Sequence, residues 1–137
     1  MTALAAAKQP DSKHLGHVQQ YLMATSTTIY AGALVCINAS GLAVPAADTS
    51  GFKCVVGVAM ETVTSASSGS YYVDVQEGTY LLTASSITQA HVNSVMMVVD
   101  DATVDNSSTN SVPAGVLVEY VSATQGWVKV GVGLRQS

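Results

Sequence analysis

Turn residues interrupt this chain roughly every eight to twelve positions, and no apolar run between them is long. That spacing limits the fold more than any other feature, because it leaves room for short strands and almost none for helices. The clearest case runs from Ile29 to Ala59. Two apolar runs flank Asn38 to Gly41, an Asn-x-x-Gly hairpin signal. Pro45 makes the second run a short edge strand, since proline cannot donate to a sheet ladder. A polar loop around Asp48 to Gly51 precedes a third run, Cys54 to Ala59. Together these read as the wall of a small β-barrel.

Upstream, Val18 to Ala24 reads as a first strand, leading into a turn at Thr25 to Thr28. Downstream, a loop at Thr64 to Ser70 precedes Tyr71, Val73 and Val75, which alternate with Tyr72, Asp74 and Gln76. Glu77-Gly78 reads as a turn, with Tyr80 to Thr83 returning as the partner of a hairpin. Ser86 to Val92 is the one internal helix expected, a short connector capped by Ser86 or Thr88. Asn93 would end it in a left-handed conformation. Val95 to Val99 is apolar throughout, as in a strand buried on both faces, and Val104 to Pro113 reads as a loop. Ala114 to Val121 and Trp127 to Val132 are the last strands, with Val128, Val130 and Val132 on one face and Trp127 and Lys129 on the other. About eight or nine short strands make an all-β barrel or sandwich.

The first 17 residues stand apart, because Pro10, Asp11 and Gly16 break any period. They read as a disordered tail or as an extended arm that orders against a neighbouring subunit. The expected division is an arm over residues 1–24, ordered by its partner, and a barrel over 25–137.

Only 10% of residues are charged and 48% are hydrophobic, with a net charge of −4. So little charge suits a surface largely covered by partners. Phosphate binding needs clustered Lys and Arg, whereas Lys8, Lys13, Lys53, Lys129 and Arg135 are scattered, so no nucleic-acid partner is expected. No run approaches the ~18 apolar residues of a membrane-spanning helix, and the N-terminus lacks the pattern of a secretory signal. Synthesis and folding in a cytoplasm are expected, with no membrane partner.

Residues for chemistry are sparse. Cys36 and Cys54 read as two buried thiols, without the CxxC spacing of a zinc site. His14 and His17 would share a metal only on a helix, and no third ligand lies near them. His91 with Asp100 and Asp101 could be drawn as an acid–base cluster, but aspartates at a strand end more simply accept backbone amides of a turn. Asp101, Asp105 and Asn106 lack the glycine and distal glutamate of an EF-hand loop. No nucleophile elbow, P-loop or dinucleotide fingerprint is present, so neither enzymatic activity nor a cofactor is expected. Tyr21, Tyr30, Tyr71, Tyr72, Tyr80, Tyr120 and Trp127 could offer sugar-binding rings or fill barrel ends and interfaces.

Ile29-Tyr30-Ala31-Gly32-Ala33-Leu34-Val35, then Gly41-Leu42-Ala43-Val44-Pro45-Ala46 and Val56-Gly57-Val58-Ala59, resemble the opening of tailed-phage head decoration (capsid cement) proteins. Ile87-Thr88-Gln89-Ala90-His91-Val92 and Val98-Val99-Asp100-Asp101-Ala102-Thr103-Val104 resemble the same family's middle, and Ala114-Gly115-Val116-Leu117 with Trp127-Val128-Lys129-Val130-Gly131 its closing hairpin. The likeness covers about residues 25–132. Asn93-Ser94 departs from the family pattern, and the N-terminal segment has no clear counterpart.

The resemblance implies a β-barrel or β-tulip with an N-terminal arm, a structural virion protein made in the host cytoplasm. It would sit as a homotrimer on the outer surface of the head and clamp neighbouring major capsid subunits. Expected interface residues are His14, His17, Tyr21, Tyr30 and Trp127, and deleting residues 1–17 would leave the barrel folded while weakening capsid binding. The competing reading is a carbohydrate-binding β module on a virion or cell surface, and a third is a tail or baseplate β-domain.

Overall fold

Asn38 closes the first hairpin with its own side chain. Its Oδ1 accepts the N–H groups of Ser40 (2.9 Å) and Leu42 (3.0 Å), and its backbone N–H donates to the Leu42 carbonyl (2.9 Å). Gly41 takes the left-handed conformation (φ 83°) that this turn requires. The hairpin expected at this site is therefore present, and the segment ending in Pro45 stands last in the sheet order, met on its outer side by a parallel bridge from Met23 to Ala43.

The structure is a computed structural model that describes the backbone of residues 12–130 and the side chains from Val18 onward. Its strands are β1 (Ser12–Leu22), β2 (Thr28–Ile29), β3 (Leu34–Ile37), β4 (Ala43–Pro45), β5 (Val55–Ala59), β6 (Val63–Thr64), β7 (Tyr72–Ala84), β8 (Val95–Asp100), β9 (Thr103–Asp105), β10 (Pro113–Ser122) and β11 (Gln125–Val130). Strands β7, β9, β8, β10 and β11 close a five-stranded barrel, because β11 pairs back onto β7. Strands β5, β3 and β4 extend the sheet beyond it, and β2 with β6 forms a separate two-stranded ribbon. The all-β barrel expected from the turn spacing is the architecture found.

Two apolar cores lie on opposite faces of the β3–β5 pair. Leu34, Cys36, Val55 and Val58 face the barrel interior, with Met96, Val98, Leu117 and Val128. Val35, Val56 and Ala59 face a smaller core with Met23, Ile29, Val73 and Val75. Strict alternation along β5 would place Val55 and Val58 on opposite faces. The register shifts by one residue, with Val35 opposite Gly57 but Cys36 opposite Val55, so β5 carries a bulge. That extra residue returns Val58 to the barrel side.

β7 is the strand that both cores share. Val73 and Val75 are buried in the smaller core, whereas Tyr80, Leu82 and Ala84 are buried in the barrel. The buried set thus changes from odd to even positions near Gly78, which is the signature of two strands when read from sequence alone. The hairpin expected at Glu77-Gly78 does not exist. The chain runs extended from Tyr72 to Ala84 and pairs with β1 and β5 over its first half and with β11 and β9 over its second. Its 13 residues make it the longest strand described.

Other expectations shift less. The connector narrows from Ser86–Val92 to a single 3-10 turn, Gln89–His91, and Asn93 follows it in the left-handed region (φ 72°) as expected. β8 buries Met96 and Val98 but exposes Val95, so it is covered on one face only. The segment read as a loop from Val104 begins inside β9, which lies parallel to β7 and antiparallel to β8. The remainder of that loop is tied down by Asp48, whose carboxylate accepts the N–H groups of Thr109 (3.1 Å) and Asn110 (2.8 Å).

Of the arm expected over residues 1–24, residues 12–22 form β1, antiparallel to β7 of the same chain from Ser12 opposite Tyr80 to Leu22 opposite Tyr72. Residues 1–11 and 131–137 lie outside the described residues.

Candidate functional site

Because β7 gives each half of its length to a different core, half of each face is left over. The even face of its first half carries Tyr72, Asp74 and Gln76. Across the ladder, Leu22 stands opposite Tyr72, Gln20 opposite Asp74 and Val18 opposite Gln76. On the other side, the Met60 N–H donates to the Asp74 carbonyl (2.9 Å), which places Met60 beside Asp74. The result is a three-strand surface whose apolar side chains stay in solvent: Val18 is 50% exposed, Leu22 38%, Tyr72 48% and Met60 49%. Gln20 Nε2 donates to Asp74 Oδ1 at 3.4 Å in its middle. A contiguous exposed patch of this kind marks an interaction surface more often than isolated apolar residues do.

A second exposed strip lies on the outside of the barrel. Val118 falls between the paired residues Leu117 and Glu119, and Val121 between Tyr120 and Ser122, both at register shifts of β10. Bulged residues have no partner across the ladder, so these valines project into solvent.

Of the five residues expected at an interface, Tyr21 and Trp127 lie on strands that pair with opposite halves of β7. Tyr21 lies opposite Val73 on β7 and packs half-buried against the smaller core. Burial, with the nearby Cys54 and Glu77, pushes its phenol pKa up. Trp127 lies opposite Leu81, eight positions along β7 from Val73, or ~27 Å at the rise of an extended strand. Tyr30 is half-buried before β3. The backbones of His14 and His17 belong to β1, not to a helix, and their side chains lie outside the described residues. The exposed face was missed because Val18, Leu22 and Met60 look like core residues in sequence. The one available signal was the mixed alternation Val18-x-Gln20-x-Leu22 and Tyr72-x-Asp74-x-Gln76.

The chemical candidates resolve into turn-forming groups. Asp100 Oδ1 accepts the Ala102 N–H (2.8 Å), as expected of an aspartate at a strand end, and Asp105 Oδ1 accepts the Asn106 N–H (2.8 Å). His91 Nδ1 accepts the Thr88 N–H (3.0 Å) across the 3-10 turn. Among the described residues, no group of three or more His, Cys, Asp and Glu is placed to hold a metal ion. Neither cysteine is in a disulfide. Cys36 points into the barrel core, while Cys54 packs half-buried on the opposite side, against the smaller core.

Burial pushes the Cys36 thiol from its ordinary 9.0 up to about 12, opposed by a hydrogen bond from the Ala47 backbone. The unfolded thiol loses its proton first as pH rises, so this group's contribution to stability is complete below pH 9.0. It is lost progressively between 9.0 and about 12. Chemical denaturation across that range is expected to show a falling alkaline limb that flattens in Cys36→Ala. A thiol reagent at pH 8 should modify Cys36 only as the protein unfolds.

Comparison of the chain with family models, with curated proteins and with solved structures found no match.

Proposed function

We propose that the chain is a decoration protein of a tailed-phage head, a structural partner of the major capsid protein that sits on the outer surface of the shell. The observation that carries this reading is the ordered set of family-like segments along residues 29–131. Within the described residues these fall on β3, β4, β5, the 3-10 turn, β8 with β9, β10 and β11, so they span one closed domain. Two further features fit it. The surface is poor in charge, and a contiguous face of Val18, Leu22, Tyr72 and Met60 is available for contact. A small domain used in several linked copies needs only modest contacts from each, because the second and third engagements are effectively intramolecular. A homotrimer, the assembly that the resemblance implies, supplies such linkage.

Co-sedimentation with purified phage heads tests the proposal. Saturable binding to heads is expected, together with a light-scattering mass of three chains for the isolated protein. Absence of binding would overturn the capsid reading and turn the exposed tyrosines toward glycans. Truncation is informative only up to residue 11, since removing residues 12–17 also strips β7 of part of a paired strand.

A further inference from the structure

The asparagines of this chain are Asn38, Asn93, Asn106 and Asn110, and the last three each precede a serine: Ser94, Ser107 and Ser111. An asparagine before a small residue is open to attack by its own backbone. The next residue's amide nitrogen loses its proton and bonds to the side-chain carbon Cγ. The Cγ–Nδ2 bond breaks, and ammonia leaves behind a cyclic imide. Water then opens the ring, either to aspartate or to isoaspartate, in which the backbone runs through Cγ. The reaction needs the attacking N–H untied, the side chain free to turn toward it, and the peptide between them free to pivot.

All three Asn-Ser pairs are exposed, so hydrogen bonding decides between them. Around Asn93 both amides are held. The Asn93 N–H donates to the Leu117 carbonyl (2.7 Å), and the Ser94 N–H, the attacking group, donates to the His91 carbonyl (2.9 Å). The Ser94 carbonyl accepts the Leu117 N–H as well (3.1 Å). Asn110 is held at its leaving group: Nδ2 donates to the Asp48 carbonyl (2.9 Å), and the backbone N–H donates to Asp48 Oδ1 (2.8 Å). Asn38 is fixed by the two N–H groups that its Oδ1 accepts.

Asn106 differs. Its backbone N–H donates to Asp105 Oδ1 (2.8 Å), which steadies the peptide before it and leaves the peptide after it alone. Among the described residues, neither its side chain nor the Ser107 N–H has a hydrogen-bond partner. The Ser108 hydroxyl is buried and has none either. Apart from a long bond from the Ser111 hydroxyl to the Ser108 carbonyl (3.5 Å), the stretch stays untied until the Thr109 N–H meets Asp48 (3.1 Å).

We propose that Asn106-Ser107 is a site of spontaneous deamidation in the folded protein, with water as the only co-reactant, while their hydrogen bonds protect Asn93 and Asn110. Each event exchanges an amide for a carboxylate beside Asp105 and takes the net charge one unit below its −4. The isoaspartate product also lengthens the backbone by one atom in the segment joining β9 to β10. Asn106 is thus a marker of the protein's age. The inference does not depend on the virion reading.

Peptide mapping by mass spectrometry, on the folded full chain held in mildly alkaline buffer, tests it. The fragment holding Asn106 is expected to gain one mass unit first. Fragment ions assign the gain to Asn106 and not to Asn110, and chromatography separates the aspartate and isoaspartate forms. Asn93 and Asn110 should convert at least ~10-fold more slowly, since two or more hydrogen bonds must break before either can cyclise. In denaturant the three rates should converge, because the next residue is serine in each. Asp48→Ala should raise the Asn110 rate toward that of Asn106 and leave Asn106 as it was. Asn106→Gln should remove the early gain, because the longer side chain closes its ring far more slowly. Equal rates for the three in the folded chain overturn the inference, as does conversion of Asn93 or Asn110 ahead of Asn106. An Asn110 rate untouched by Asp48→Ala also overturns it, and so does an intact Asn106 once the denatured chain has converted.

Discussion

Gly57→Ala is expected to cost roughly 3 kcal/mol, lowering the melting temperature by ~10 °C in a domain of this size. Gly57 holds φ at 152°, a conformation that side chains strain to adopt. A Cβ there would stand 2.6 Å from Val75 Cγ1 and 2.7 Å from the Gln76 carbonyl oxygen. The second contact is with backbone of the strand that both cores share, so it cannot relax by a rotamer change. The only other relief is to dissolve the bulge, and that sends Val58 out of the barrel core and brings Ala59 in. Gly41→Ala is the control. It shares a positive φ (83°) but has nothing within 4 Å of the added methyl, so only backbone strain remains, ~1 kcal/mol. Thermal unfolding followed by circular dichroism separates the two, and equal losses would mean that the bulge is dispensable.

The second large effect lies at the barrel end. Leu117 is fully buried, and its Cδ1 is what a Cβ on Gly126 would meet at 2.5 Å, with Ile87 Cδ1 next at 3.1 Å. Leu117→Ala should cost ~3 kcal/mol through lost burial and the cavity left behind. Gly126→Ala should cost ~1–2 kcal/mol because it forces Leu117 from its place. Combined, the two should cost at least ~1 kcal/mol less than their sum, since the new methyl enters the space the leucine vacates. A chevron or denaturant-midpoint series on all four proteins measures this coupling. Strict additivity would mean that the two side chains do not share that space.

The parts of this fold that were legible in sequence are those whose cause is local. Asn38 and Gly41 close their own turn, Pro45 marks its own edge, Asn93 takes its left-handed turn, and Asp100 accepts from a residue two positions on. What was illegible depends on partners far along the chain. The change of buried phase at Gly78 looks like a turn unless it is known that β7 serves two cores. β9 carries one apolar residue, Val104, too few to show a period. The same limit hid the exposed face. Val18, Leu22 and Met60 are apolar, and nothing near them in sequence tells that the barrel interior covers only the later half of that side of β7.

The sharing of β7 also determines how the molecule comes apart. Its partners extend from Ser12 to Val130, and neither core can lose it and remain closed. The two cores are therefore one cooperative unit despite lying on opposite sides of a sheet. Backbone amides along the middle of β7 should exchange with solvent only through global opening, while the β2–β6 ribbon, held by two residue pairs, opens locally and far more often.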